Sequence, residues 1–501
     1  MILIIALLTS SLKLLLMPAY YSTDFEVHRN WLSITHNLPV KRWYYDDTSE
    51  WTLDYPPLFA WFEYLLSYPA QFFDKNMLVI NNLKYESRET IIFQRLSVIF
   101  MDAVYCYGVH RCCKVISKGW RTDVVLPILL ITNCGLIMLD HIHFQYNGFM
   151  YGILLLSIAD MCNDRFLKSA FWFVVLLNLK HIYVYASPAY FIYLLKTYCL
   201  CNRPISDVVL TQKCWSNTIK LGSVVIGVFV ISFLPFYDHL PQIISRLFPL
   251  KRGLCHAYWA PNVWALYNIV DKAVFFAASK LGYHKGEAKA AMTGGLVQEY
   301  SHLVLPNITP RITIILSLIF VLPLMVKLWK LKCPTDFIRC IALCSLTAFL
   351  FGYHVHEKAI LMAIIPITIL SVRDPLDAKI FLILSTVGYY SLFPLLYPKN
   401  LFLVKTLLLI IHSLYSFHSL SKMYTMKICK YSLPLLNIFE SFYLFSFCLI
   451  HTYEHFIHNL LDFQNKLPFL PLMITSVYCS VGVIYCWILY FIFSSKDLSQ
   501  L

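Results

Sequence analysis

The sequence predicts an all-α polytopic membrane protein, and three observations predict it. Apolar residues fill 58% of 501 positions and charged residues only 14%, where a soluble domain carries about 25% charged residues. Mean hydropathy is +0.62. The apolar residues come in long runs such as Ile312–Val326 and Leu401–Ile411, the material of bilayer spans of roughly 17–25 residues. Backbone groups in lipid must be satisfied within each segment, which makes these runs helices.

Taken in order, the candidate spans are 2–18, 91–110, 124–140, 147–160, 166–179, 180–199, 219–236, 310–330, 335–352, 357–371, 378–396, 401–420, 433–455 and 470–493. The fourth, fifth and tenth are short, so about 12–14 transmembrane helices are expected. The first run lacks a basic leader and is followed by Pro18-Ala19-Tyr20, a poor cleavage site, so it reads as an uncleaved span. Most of the 16 cysteines lie in spans or beside basic loops, and no pair shares one large polar loop, which predicts no disulfide framework.

Charge orients the chain. Arg111, Lys114, Lys118 and Arg121 follow the second span; Lys196, Arg203, Lys213 and Lys220 flank the sixth-to-seventh connection. Lys327, Lys330 and Lys332 follow the eighth, and Lys422, Lys427 and Lys430 the twelfth. With the N-terminus cytoplasmic, all four groups fall on the cytoplasmic side, as the positive-inside rule requires. The region 20–90 holds ten acids against six bases, a balance of −4 inside a chain of net charge +13. That excess of positive charge suits an anionic membrane surface, and no nucleic-acid motif accompanies it. The chain reads as a single membrane domain, 1–501, with two large non-cytoplasmic loops at 20–90 and 237–309.

Four polar clusters fall on that non-cytoplasmic side. In Tyr21–Trp31, Thr23 and Glu26 have the spacing of a capping box. Val27, Trp31, Ile34 and Leu38 then share a face, as in a helix lying in the membrane interface. Asp24 occupies the first turn, where the helix dipole favours its ionised form. It either complements that dipole or serves as a general base. In Trp51–Leu58 the tandem prolines open a helix. There Asp54 is first a cap and second a substrate contact, and Leu58, Trp61, Phe62 and Leu65 form a second interfacial stripe. Asp140–Asn147 reads as a tight turn, carrying His141 and His143. His354–Lys358 opens the tenth span, with His356 and Lys358 as ionisable groups at membrane depth. The two His-x-His pairs raise metal binding as an alternative. Neighbouring helical positions do not share a face, however, and no cysteines or clustered carboxylates complete a tetrahedral set.

The second loop adds Arg246–Asn262. Arg252 beside Gly253 suits phosphate contact. Tyr258, Trp259 and Trp264 suit sugar faces, or anchor the loop in the interface. Asn307-Ile308-Thr309 is a glycosylation sequon crowded by Pro310 and the span that follows.

In this order, Ser22–Trp31, Trp51–Pro57, His143–Asn147, Arg246–Gly253 and Val355–Ala359 resemble the endoplasmic-reticulum glucosyltransferases that build the lipid-linked oligosaccharide for N-glycosylation. The resemblance implies a GT-C type glycosyltransferase fold with lumenal interfacial helices. It implies a dolichyl phosphate glucose donor, a lumen-facing site in the endoplasmic-reticulum membrane, and no metal or other cofactor. His-Ala-Tyr-Trp-Ala-Pro-Asn at 256–262 looks like the branch that adds the second glucose. That branch transfers glucose in α-1,3 linkage to Glc1Man9GlcNAc2-diphosphodolichol, with inversion. The branch adding the first glucose carries an acidic pair where Cys255-His256 stands here. By the same resemblance Asp24 is the general base and His356 meets the donor phosphate; Lys358, His143 and Arg252 join them by charge and side. A polytopic transporter is the rival class, but it calls for internal symmetry that the sequence lacks.

Overall fold

Segments this apolar close their own backbone hydrogen bonds, and the chain is accordingly built of helices. The computed structural model describes residues 1–116, 119–202, 211–248, 253–256, 258–282, 302–330, 333–424 and 431–496. Among the described residues, eight helices are long and apolar enough to cross a membrane. They are Arg88–Ile116, Arg121–Phe144, Gln212–Leu247, Pro310–Lys330, Pro334–Phe351, Pro375–Leu395, Lys399–Tyr424 and Leu470–Ser494. Ile2–Leu16, Asn147–Cys162 and Phe166–Leu179 are shorter apolar helices. The described residues form no strand; one parallel bridge joins Cys255 to Val355.

Three expected spans are short or interrupted. The 180–199 segment breaks into His181–Ala186, Ser187–Leu194 and Leu195–Cys199. Pro188 causes the first break, because it has no N–H to donate to the preceding turn. The 433–455 segment divides into Ile438–Phe445 and Phe447–Thr452 before a π-helical turn, Tyr453–Ile457. The 357–371 segment is a 3₁₀ turn, Glu357–Ile360, followed by Leu361–Ser371. At the start of the second expected loop the helix Gln212–Phe233 gives way to a 3₁₀ stretch kinked at Phe236 and then to a short helix, Leu240–Leu247.

The chain forms two compact units. The first is Met1–Pro249 with Lys332–Phe337 and Pro398–Leu403; the second is Leu250–Leu331, Ile338–Tyr397 and Val404–Leu501. In the first, α1 is Ile2–Leu16, α2 Thr23–Asn37, α3 Pro57–Phe73, α4 Arg88–Ile116 and α5 Trp120–Ile131. α4 packs on Asn147–Cys162 through glycines: a Cβ on Gly108 would stand 2.5 Å from Gly152 O. Small residues of this kind let backbones approach where no hydrophobic effect drives helices together.

Two expectations for the first loop are corrected. The apolar face of α2 is spent inside the protein and not on lipid: Phe25 and His28–Thr35, with Trp31 and Ile34 among them, are buried. Asp54 does not cap α3. Pro56 is the N-cap residue, with Pro57 at the first position, and a proline side chain has no oxygen to accept the N–H groups of the first turn. Of the Leu58, Trp61, Phe62, Leu65 stripe only Leu65 is exposed; the other three are half-buried, Trp61 against Trp43 and Phe62 against Tyr146, while Phe59, Ala60, Glu63, Ser67 and Ala70 turn inward.

The expected tight turn at Asp140–Asn147 is also corrected. α5 leads through Cys134–Leu136 into an eight-residue π-helical turn, Ile137–Phe144, all of it buried. The turn ends at Phe144, whose φ of 90° lies in the region that favours glycine. Packing holds it there: the ring sits against Phe25, His28 and Tyr146, with the Arg95 guanidinium 5.5 Å from its centre.

In the second unit, Leu361–Ser371 is buried along its whole length. Asp377, fully buried, is matched by Arg339 at 2.8 Å and by the Tyr490 hydroxyl at 2.8 Å, as a charge out of water requires.

Candidate active site

Asp24 is presented by the start of α2. Ser22, one residue earlier than expected, is the N-cap, its hydroxyl accepting the Asp24 N–H at 3.2 Å. The anticipated Thr23–Glu26 box does not form, because Glu26 turns to Arg29 in a two-pronged pair at 2.7 and 2.9 Å. Asp24 keeps its first-turn place, where the exposed N–H groups favour an anion. Its side chain is 24% exposed.

The residues after the π-helical turn fold over this carboxylate. Ser22 N–H donates to His143 O at 2.8 Å, locking the turn against the start of α2. Gln145 Nε2 donates to Asp24 Oδ2 at 2.6 Å, and His143 Nε2 lies 3.2 Å from the same oxygen. Asn147 Nδ2 donates to Gln145 Oε1 at 2.7 Å and to Asp140 Oδ1 at 2.9 Å. Lys180 Nζ donates to Asn147 Oδ1 at 3.2 Å and stands 5.0 Å from the centre of the Tyr55 ring.

A buried layer supports this line. Asp102 joins Lys13 at 2.6 Å and His141 at 2.9 Å, tying α1, α4 and the π-helical turn together. Arg95 donates to the carbonyls of Ile142 at 2.8 Å, Asp140 at 3.3 Å and Tyr20. The first two are carbonyls of the irregular turn, whose end leaves such groups without helical partners. His28 meets Glu63 at 2.6 Å; burial pushes the Glu63 carboxyl up, against the pull of His28. Asp54 lies close enough that its charge, after burial, raises the phenols of Tyr44 and Tyr55. Arg246 donates to Thr52 Oγ1 at 3.0 Å and Tyr44 O at 3.3 Å.

The second unit gathers a different set. His354 N–H donates to Leu254 O at 2.9 Å and His354 Nδ1 to Gly253 O at 2.7 Å, pinning 353–356 beside 253–256. This stacks three imidazoles: His256 has His354 at 4.2 Å and His356 at 4.6 Å between ring centres. Burial, then His356 and His354, push the His256 imidazole down to about 2. His356 Nδ1 stands 2.9 Å from the buried Glu357 carboxylate and 3.4 Å from Lys358 N–H. Through the second contact His356 caps the 3₁₀ turn, its Nδ1 accepting the Lys358 N–H. Lys358 follows in the same 3₁₀ turn. Trp259 is buried, with Lys272 Nζ 5.1 Å from its ring centre, and Trp264 is buried with its N–H on Gly352 O at 2.8 Å. Both rings thus pack inside the unit. Arg252 lies outside the described residues.

Of the sequence candidates, Asp24 and His143 meet in the first unit, and His356 and Lys358 are neighbours in the second. Gln145 and Asn147 stand in the sequence motif without a role of their own. Lys13, Asp102 and Lys180 are not among the candidates, although an ionisable residue inside an apolar run is itself a signal.

Residues 9–490 match the ALG6, ALG8 glycosyltransferase family. Two mammalian proteins named dolichyl pyrophosphate Glc1Man9GlcNAc2 alpha-1,3-glucosyltransferase are similar along nearly their whole length. The Bos taurus protein is 48% identical over 497 residues, 97% of this chain and 94% of the relative. The Mus musculus protein is 49% identical over 497 residues, covering 96% and 93%. An Arabidopsis thaliana protein of the same name is 42% identical over 493 residues, covering 96% and 95%. Since the match runs from α1 into the final span and takes in both polar clusters, the chain belongs to the ALG6, ALG8 glycosyltransferase family.

Proposed function

We propose that this protein transfers glucose from dolichyl phosphate glucose, in α-1,3 linkage, to Glc1Man9GlcNAc2-diphosphodolichol at the lumenal face of the endoplasmic-reticulum membrane, its N-terminus cytoplasmic. The observation that carries the reading is Asp24: a carboxylate in the first turn of a helix, one oxygen accepting from Gln145 and lying 3.2 Å from His143 Nε2. The acceptor named in the mammalian relatives supports the choice of substrate.

The chemistry is a single displacement. Asp24 takes the proton of the acceptor hydroxyl as its oxygen bonds to the glucose anomeric carbon. The bond from that carbon to phosphate breaks on the opposite face, which inverts the centre and releases dolichyl phosphate. The departing phosphate needs positive charge in place beforehand; His356 and Lys358 supply it, with Arg252 as a further cation. One base and one stabilised leaving group suffice, and no metal is called for. A lipid-linked donor explains why the site belongs at the bilayer edge.

The test is transfer by the purified protein from dolichyl phosphate glucose to each acceptor separately. Transfer only to the acceptor already carrying one glucose is expected; equal use of the unglucosylated acceptor overturns the assignment. Asp24→Asn should cost about 10²-fold or more in rate with folding intact. Retention of more than roughly a tenth of the rate excludes Asp24 as the base.

A further inference from the structure

We infer that Gln145 is a positioning residue for Asp24, and that Lys180 fixes its orientation through Asn147. The inference rests on Asp24 being the general base. A side-chain amide can present either its oxygen or its nitrogen by turning over, and its partners decide which. Here the deciding partner is a cation. An ammonium only donates, so the Asn147 atom 3.2 Å from Lys180 Nζ is the carbonyl oxygen. Asn147 Nδ2 then points the other way, to Asp140 Oδ1 at 2.9 Å and Gln145 Oε1 at 2.7 Å. With its oxygen occupied by Asn147, Gln145 has only Nε2 to offer Asp24, which it reaches at 2.6 Å. Lys180 thus sets, through two amides, a donor against the base.

The backbone serves the same end. The left-handed Phe144 turns the chain out of the π-helical turn into extended Gln145, at φ −160° and ψ 176°. Its side chain can then face the start of α2 while Asn147 begins the next helix. Strain of this sort persists only where packing over-determines it, and it concentrates at working sites. Gln145 and Asn147 are 9% and 7% exposed, so water does not readily replace their partners.

A donor on Oδ2 does two things. It fixes the rotation of the carboxylate, and it favours the ionised form that can accept a proton. Gln145→Glu changes little in shape and replaces the donor with a second acid. His143 Nε2 stands 3.2 Å from Asp24, and the Asp24 charge reaches Tyr55, which also feels Asp54, Asp140 and Glu63 and has Lys180 Nζ 5.0 Å from its ring centre. Against that fixed surrounding, a new carboxyl makes Asp24 harder to ionise.

The experiment compares Gln145→Glu, Lys180→Met and Lys180→Arg in the full-length protein, by kcat, KM for donor and acceptor, and melting temperature in detergent. Gln145→Glu should lower kcat about 10²-fold with little change in either KM. Its acid limb of kcat should move to higher pH. Lys180→Met should lower kcat in the same manner but less, and Lys180→Arg, which still only donates, should recover most of the loss. The inference fails if Gln145→Glu keeps kcat within about threefold with the acid limb unmoved. It fails equally if Lys180→Arg is no better than Lys180→Met, or if kcat merely follows melting temperature. An inactive Asp24→Asn beside a fully active Gln145→Glu removes this inference alone; an active Asp24→Asn removes the reading beneath it.

Discussion

His256 lies between His354 and His356, with ring centres 4.2 and 4.6 Å away. Burial and the two neighbouring rings push its imidazole down from 6.5 to about 2. The folded protein therefore refuses a proton that the unfolded chain accepts once pH drops below 6.5. The difference works against folding, and it grows as pH falls from that value toward about 2. His256→Phe keeps a ring in the stack and removes this penalty, so its melting temperature should gain on wild type as pH is lowered from neutral. Parallel melting curves for the two proteins across that range would contradict the stacked, uncharged His256. The same scale shows what a sequence can and cannot say about a site. Asp24 is readable through the resemblance, since by pattern alone a first-turn carboxylate is as well a complement to the helix dipole. Gln145 is not: an amide carries no charge, and its role exists only once Phe144 turns the chain back to α2. Lys180 belongs to none of the four basic groups, and its role shows only once its partner Asn147 is known.

At the scale of elements, apolar runs locate most helices, while their irregularities escape. Nothing in the composition of Ile137–Phe144 separates a π-helical turn from the end of an ordinary helix; Arg95, arriving from α4, is what satisfies its carbonyls. α2 misleads for a related reason, since an amphipathic pattern fits a membrane surface and a protein interior equally well. Helix contact, by contrast, is decided by single small residues. A Cβ on Gly152 would stand 2.7 Å from Tyr105 N and from Val104 C, both backbone atoms of α4 that cannot step aside. Gly152→Ala should therefore destabilise the protein by about 1–3 kcal/mol, the usual range for overpacking. Gly222 and Gly227, with nothing within 4 Å of an added Cβ, are the matched controls. Alanine there should be neutral or raise stability by up to about 1 kcal/mol through helix propensity. Melting in detergent separates the two cases, and a Gly152→Ala protein as stable as wild type would mean that α4 and Asn147–Cys162 are not in such close contact.

The whole molecule is legible chiefly through charge. Four basic groups alternate with spans in a way that leaves the acidic 20–90 region on the opposite side from all of them. The expected alternation counts the interrupted 180–199 segment as a crossing and depends on it. The polar line from Lys180 to Asp24 begins at the break after Phe166–Leu179 and ends at the start of α2, both assigned to the non-cytoplasmic side. That assignment can be tested by single substitutions that create glycan acceptors. Asp46→Asn completes a sequon with Thr48 in the acidic loop, where Asp47 and Thr48 are exposed. An amide oxygen there can still accept the Thr48 N–H that Asp46 Oδ1 takes at 3.3 Å. Lys430→Asn completes a sequon with Ser432 in the connection after the twelfth expected span. Oligosaccharide transfer occurs on the lumenal side, so the first variant should gain an endoglycosidase-sensitive glycan and the second none. A glycan on Lys430→Asn in place of Asp46→Asn would invert the topology, and it would put Asp24 on the wrong side of the membrane for lumenal glucosyl transfer.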